Sequence, residues 1–221
     1  MSVSVTTTRK NGQKTKARLL HSTEKLFALE GVAGVTMRGI AKQAKTNLAS
    51  PHYHFGSKEA MVLEMLKSKI EPINRERKKR LQIAKNQFEG SPIPTIEIFR
   101  ALILPVGEVV AKEISNQTGI IEIIARSFTE PASFIEKVHK RFFGELSQIF
   151  MNELTNTHPN AKKEDLYWNF HFAVSSMLGA LAQHRRIHDF SCGRCNENAI
   201  EEMIDRLILF ISEGFEASIN N

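Results

Sequence analysis

Apolar side chains recur at three- and four-residue intervals along almost the whole chain, which is the period of amphipathic helices and not the alternation of strands. Between Lys14 and Glu30, the residues Leu19, Ser22, Thr23, Leu26 and Phe27 share one helical face, with Arg18, Glu24 and Lys25 elsewhere on the surface. Gly31 ends that helix and Gly34 marks the following turn. Thr36 is placed to cap a short second helix, Met37 to Ala44, that buries Ile40, Ala41 and Ala44. A turn at Lys45-Thr46 leads to a third helix from Leu48 to about Phe55, capped by Asn47. Pro51 gives it an irregular start. Gly56 closes the third helix, Ser57 caps the next, and a fourth runs from Lys58 to about Ile70.

Pro72 is expected to break or restart the helix in "IEPINRERKKRLQIAK", and Asn86 to Pro94 is the clearest loop. Further helices are expected over Thr95–Ser115 with a kink at Pro105, Gly119–Phe128, Pro131–Thr155, Lys163–Ile187 and Glu197–Ser218. No alternating β-branched run flanked by turns is present, and there is no internal repeat. The expected fold is all-α: a three-helix helix-turn-helix unit over residues 1–60 and a helical effector-binding and dimerisation bundle over 61–221.

Composition changes this picture in one place. The 221 residues are 42% apolar and 24% charged, an ordinary globular balance. The formal charge of +6 is confined to the first quarter: residues 1–60 carry ten Lys and Arg against Glu24, Glu30 and Glu59, and the remainder is close to neutral. A basic module of that size is an electrostatic footprint for phosphates. No apolar run is long enough to span a membrane, the N-terminus has no secretory core, and two cysteines make no disulfide scaffold. A cytoplasmic location, no membrane contact and no cofactor are expected.

The chemistry is concentrated in "TNLASPHYHFGSKEAM", Thr46 to Met61. Two short helices joined by a tight turn can lay the second in a major groove with its N-terminal residues at base edges. Leu48 and Ala49 can touch a thymine methyl, and Ser50 can meet donors or acceptors. His52 and Tyr53 offer N–H and O–H groups to phosphates. Thr36, Ser57 and Lys58 sit at helix N-termini, which favour anions. Arg38 is the best candidate for a bidentate guanine contact. Consecutive His52, Tyr53 and His54 splay about 100° apart on a helix, which speaks against a shared metal.

The order "TMRGIAKQAKTNLASPHYHFGSKEAMV" resembles the N-terminal DNA-binding domain of the TetR family of transcriptional regulators, from about Arg18 to Leu66. The resemblance implies DNA contacts at Thr36, Arg38, Leu48, Ala49, Ser50, His52, Tyr53 and Lys58, and core positions at Ile40, Ala41 and Phe55. His54 matches a position that packs or caps. Lys45 stands where the family commonly has glycine, so a left-handed torsion there would be strained. The segments "IEPINRER" and "EIIARSFTEP" resemble one branch that responds to aromatic compounds and drugs. Double-stranded operator DNA, a homodimer and a small-molecule effector are the implied partners.

In the C-terminal half, apolar faces point to an effector pocket at Phe99, Leu102, Ile103, Val106, Ile121 and Met177. Arg126 and Glu130 stand four apart, as a local ion pair or with Arg126 facing an effector carboxylate. "NRERKKRLQIAK" reads as a solvated face. The helix around Trp168 and Phe172 is apolar on more than one side, and with Ala199–Phe215 it is the expected dimer interface. His184, His188, Cys192 and Cys195 have a spacing that could serve structural zinc or a redox pair. The ordinary alternative is a basic helix end followed by two reduced thiols. No nucleophile, base and orienting group occur at a motif spacing, so an enzyme is not expected. The competing readings are a sequence-nonspecific structural DNA binder and a zinc- or redox-sensing regulator.

Overall fold

The computed structural model describes residues 3–114 and 119–219. Over these residues the chain forms eleven helices and no strand: α1 Val3–Gly34, α2 Met37–Gln43, α3 Ala49–Phe55, α4 Lys58–Gln87, α5 Thr95–Ile114, α6 Ile120–Arg126, α7 Ala132–Phe142, α8 Gly144–Thr157, α9 Lys163–Ala182, α10 Arg186–Phe190 and α11 Ile200–Ile219. The expected end of the fifth helix at Ser115 lies outside the described residues.

Helices α2, α3 and α4 begin where local chemistry dictates. The Thr36 hydroxyl accepts the Gly39 N–H at 3.0 Å, the Asn47 side-chain oxygen Oδ1 accepts Ser50 N–H at 2.8 Å, and the Ser57 hydroxyl accepts Ala60 N–H at 3.1 Å. Each satisfies a first-turn donor that has no partner inside its helix. Gly56, at φ 76°, closes α3. α1 carries a break near its end, where Gly31 adopts φ 68°, ψ −174°, a conformation open essentially to glycine alone.

Two cores result, and α4 belongs to both. Met61, Val62, Met65 and Leu66 pack with Leu19, Phe27 and Ile40 in the first, and Ile73, Leu81 and Ala84 pack with α5 and the bundle in the second. Unit 1–60 therefore takes part of its core from beyond residue 60. Ile123, Phe134 and Phe142 also join the first core, so α6 and α7 are packed against the N-terminal unit as well as the bundle.

Three expectations about helix ends are corrected. α4 does not stop at Ile70 or break at Pro72, but runs to Gln87. Pro72 faces solvent, where the Ser68 carbonyl that loses its N–H can meet water. The cost of about 3 kcal/mol for an interior proline is offset by burial of Ile70 and Ile73 on the opposite side, each contributing about 1.5–3 kcal/mol. The helix expected over Pro131–Thr155 is divided at Phe143, whose φ −122° leaves the helical range. Phe142 goes to the first core and Phe150 to the second, so the chain must turn between them. The helix expected to reach Ile187 ends at Ala182, and a separate short α10 follows.

Candidate functional site

α3 stands on α2 and α4 with Pro51 buried beneath it. Its outer face is open: Tyr53 is 85% exposed, Leu48 60%, and Ala49 and His52 are also exposed, with Ser50 half-buried. Thr36 and Arg38 are exposed at the start of α2. No hydrogen bond or ion pair to a described residue occupies Arg38, so its five donors are free for an acceptor brought from outside. His54 is half-buried, with its ring edge-on to Tyr53 at 5.2 Å. His52 Nδ1 lies 3.2 Å from the Gly56 carbonyl, an orientation that leaves Nε2 outward. Lys58 is placed differently from the other expected contacts: its ammonium donates to the Val32 carbonyl at 2.9 Å.

The turn before α3 is held from behind. Lys45 has φ 50°, the left-handed torsion that would be strained in a non-glycine residue. The Arg18 guanidinium donates to the Lys45 carbonyl at 2.8 Å and also to that of Ala44. Part of the cost of the turn is thus offset by two charge-assisted bonds from α1.

Behind this reader lies a cavity of about 490 Å³ between α4, α5, α6, α7, α8 and α9, reaching Phe27 of α1. Of the expected pocket residues, Leu102, Val106 and Met177 line it. Phe99, Ile103, Ile121 and Arg126 do not. Phe99 is fully buried against Phe215 of α11, with ring centroids 5.3 Å apart. Ile103 is buried in the same core, and Ile121 packs against it half-buried. One face of an apolar helix cannot be told from another by sequence when both are covered.

Arg126 and Glu130 do not pair with each other but with the end of α1, and Arg126 does not line the cavity. The Arg126 guanidinium donates to the Ala28 carbonyl, at 3.1 Å from Nε and 2.9 Å from Nη2, and to that of Leu29. Glu130 Oε1 accepts Val32 N–H at 3.0 Å. Together they satisfy carbonyls and an amide left open by the break at Gly31. The Gly31 torsion is one that favours glycine, and a Cβ there would also displace the Glu130 carboxylate from its place beside Val32. Glu130 also lines the cavity. The cavity wall and the end of α1 therefore share a side chain.

"NRERKKR" is a solvated face only in part. Arg77 is 4% exposed and lines the cavity, a role the charge run conceals. The signal lies in its position: Ile70, Ile73, Arg77, Leu81 and Ala84 form one stripe at helical spacing, all buried.

The C-terminal His and Cys residues are not brought together. His184 is buried with Nδ1 3.0 Å from the Leu181 carbonyl, and His188 Nδ1 lies 3.1 Å from a Glu197 carboxylate oxygen. Cys192 and Cys195 are exposed free thiols. Among the described residues no group of three or more His, Cys, Asp or Glu side chains could hold an ion. Nor is any helix of the described residues long and apolar enough to cross a membrane.

Comparison with known proteins agrees with this arrangement. The family model for bacterial regulatory proteins of the tetR family matches residues 19–65, and the model for the tetracyclin repressor-like C-terminal domain matches residues 100–214. No protein of curated function matches the sequence. Among solved structures, the hemolysin II transcriptional regulator HlyIIR is 21% identical with a TM-score of 0.56, over 89% of this chain and 98% of that one. The fatty acid degradation regulator FadR from Bacillus halodurans is 12% identical with a TM-score of 0.57, over 88% and 94%. A TetR-like transcriptional regulator from Rhodococcus sp. RHA1 is 15% identical with a TM-score of 0.52, over 88% and 93%. These likenesses share the fold. With a C-terminal match spanning over half its length and the helix-turn-helix match before it, the chain belongs to the TetR family of helix-turn-helix transcriptional regulators.

Proposed function

We propose that the chain is a repressor that binds a palindromic operator as a homodimer and is released by a small, largely apolar organic effector in the 490 Å³ cavity. The observation that carries this reading is Glu130. Its carboxylate lines the cavity and at the same time holds the Val32 amide at the end of α1. The Val32 carbonyl is held in turn by Lys58 at the start of α4, immediately after the recognition helix. An effector that shifts the loop after α6 therefore acts on the end of α1 and on the start of α4, the helix that packs against α3.

The direct contacts in this reading are made by Thr36, Arg38, Leu48, Ala49, Ser50, His52 and Tyr53. Lys58 acts by holding the frame. Dimerisation uses the outer faces of α9 and α11, where Trp168 and Phe172 stack at 5.8 Å and Phe210 is 71% exposed. Exposed aromatic side chains on two helices that pack together fit a self-complementary partner. Two recognition helices about 34–36 Å apart then read half-sites one turn apart. No catalysis or resident metal is needed.

The test is binding of the purified protein to fragments of its own upstream DNA against unrelated DNA at about physiological salt. Preference of roughly a thousandfold, reduced in Arg38→Ala, is the expected result. Equal affinity for both would replace this reading with that of a sequence-nonspecific structural DNA binder.

A further inference from the structure

The cavity wall is mostly hydrocarbon, yet it contains a buried guanidinium with no carboxylate partner. Arg77 Nε donates to the Leu102 carbonyl at 2.7 Å, Nη1 donates to Asn74 Oδ1 at 3.1 Å, and Nη2 has only the Met177 sulfur at 3.8 Å. Asn74 is itself buried and fixed, its Nδ2 donating to the Phe142 carbonyl at 2.7 Å. The guanidinium is therefore held by neutral acceptors on one side and a weak thioether acceptor on the other.

Several other cations of the fold meet a carboxylate. Arg80, three residues on, meets Glu76 and Glu108, Lys69 meets Glu24 at 2.6 Å, and Lys85 meets Glu153 at 2.5 Å. Arg77 is more deeply buried than any of these and has none. Burial is the sole influence on its proton affinity and lowers it to about 10, so it remains charged at neutral pH. Glu130, the acidic residue of the lining, already serves Val32. A buried, uncompensated charge is costly to a fold, and a cavity at that charge can receive the missing anion.

We propose that Arg77 is an anion receptor and that the effector is an apolar monocarboxylic acid, its carboxylate on Arg77 and its hydrocarbon body against Ile73, Val106, Phe170 and Val174. This inference rests on the reading of the cavity as the effector site. The carboxylate oxygen displaces the Met177 sulfur from Nη2, replacing a weak acceptor with a charge-assisted bond. The apolar walls supply affinity and Arg77 supplies the choice of head group.

The experiment uses the full chain and N-phenyl-1-naphthylamine, an uncharged dye that fluoresces in apolar cavities, as reporter. Decanoate and decan-1-ol are the competitors, with equal chains and different heads. A cavity without a receptor favours the alcohol, because a carboxylate is the costlier group to bury. The expected result is displacement by decanoate at a concentration at least about tenfold below that of decanol. In Arg77→Met that order is lost or reversed while dye binding persists, and Arg77→Lys retains part of the preference. Preference for decanol in the unmodified protein overturns the receptor and leaves the effector cavity standing. An acid preference unchanged in a folded Arg77→Met overturns it equally. Should Arg77→Met fail to fold, the comparison in the unmodified protein decides alone. Failure of the dye to bind at all removes the effector cavity and this inference with it.

Discussion

Glu130 Oε1 accepts the Val32 N–H at 3.0 Å across 98 positions of sequence, and it does so where Gly31 leaves no Cβ in the way. This bond joins a cavity-lining side chain to the helix that supports the reader. Glu130→Ala is expected to keep operator binding and dye binding within about threefold while removing most of the effector's influence on DNA. Allosteric couplings are typically about 5–150-fold. In the variant the effector should change DNA affinity by less than about threefold. Fluorescence anisotropy of labelled operator, with and without a saturating effector, measures this. Retention of the full response would place the coupling elsewhere.

Gly31→Ala meets both a torsion restricted to glycine and the Glu130 carboxylate, which must shift to admit the new methyl group. A loss of about 1–3 kcal/mol is expected in urea unfolding. Combining it with Glu130→Ala removes the contact but not the torsional cost, so the two changes should be less than additive.

Lys45→Gly relieves the left-handed torsion at φ 50° and should stabilise the protein by up to about 1 kcal/mol. Arg18→Ala removes the donors to the Ala44 and Lys45 carbonyls and should cost about 1 kcal/mol or more. In the Lys45→Gly background that loss should shrink, since the turn then needs less support. A double-mutant cycle on urea midpoints tests the pairing.

Glu113 accepts Ile120 N–H at 2.9 Å, and its pKa is raised chiefly by burial, against the pull of that bond and of Lys69. The folded state therefore holds this proton to higher pH than the unfolded chain, whose carboxyl titrates near 4.5. The native state binds more protons over that window, so stability falls as pH rises through it and stays lower above. Glu113→Gln keeps an acceptor for Ile120 and removes the titration. Its unfolding midpoint should gain on the unmodified protein as pH increases from about 4 to 7. A constant difference between the two across that range would contradict the assignment.

Phe210→Asp places a charge at the centre of the exposed α11 face without touching either core. Sedimentation should show monomer at concentrations where the unmodified chain is dimer. Operator affinity should fall by about two orders of magnitude or more, because a single helix-turn-helix unit reads one half-site.

The reader is legible in the sequence because its determinants are local. Thr36, Asn47, Ser57 and Gly56 act within three or four residues of where they stand, and each performs the expected capping or closing role. The cavity is legible only in outline. Leu102, Val106 and Met177 line it and Phe99 and Ile103 do not, because both stripes of α5 are buried and only tertiary packing assigns one to the cavity. Arg77 is hidden by its neighbours: a charge run averages to a solvated face, although position 77 falls on the apolar stripe. Arg126 and Glu130 read as partners of each other, since spacing shows adjacency on a helix but not which distant backbone waits opposite.

The uninterrupted α4 has a practical consequence for exchanging modules between regulators of this kind. Its 30 residues span about 45 Å and contribute Met61, Val62, Met65 and Leu66 to the first core and Ile73, Leu81 and Ala84 to the second. A chimera joined at residue 60 would graft a foreign first half of α4 onto this reader, and the mismatch would lie inside its core. A junction in the loop around Gly90, carrying α1 to α4 as one piece, keeps that core whole. It would instead import the donor's choice of side chain at position 77, so that a new DNA specificity would arrive together with part of a new appetite for ligand.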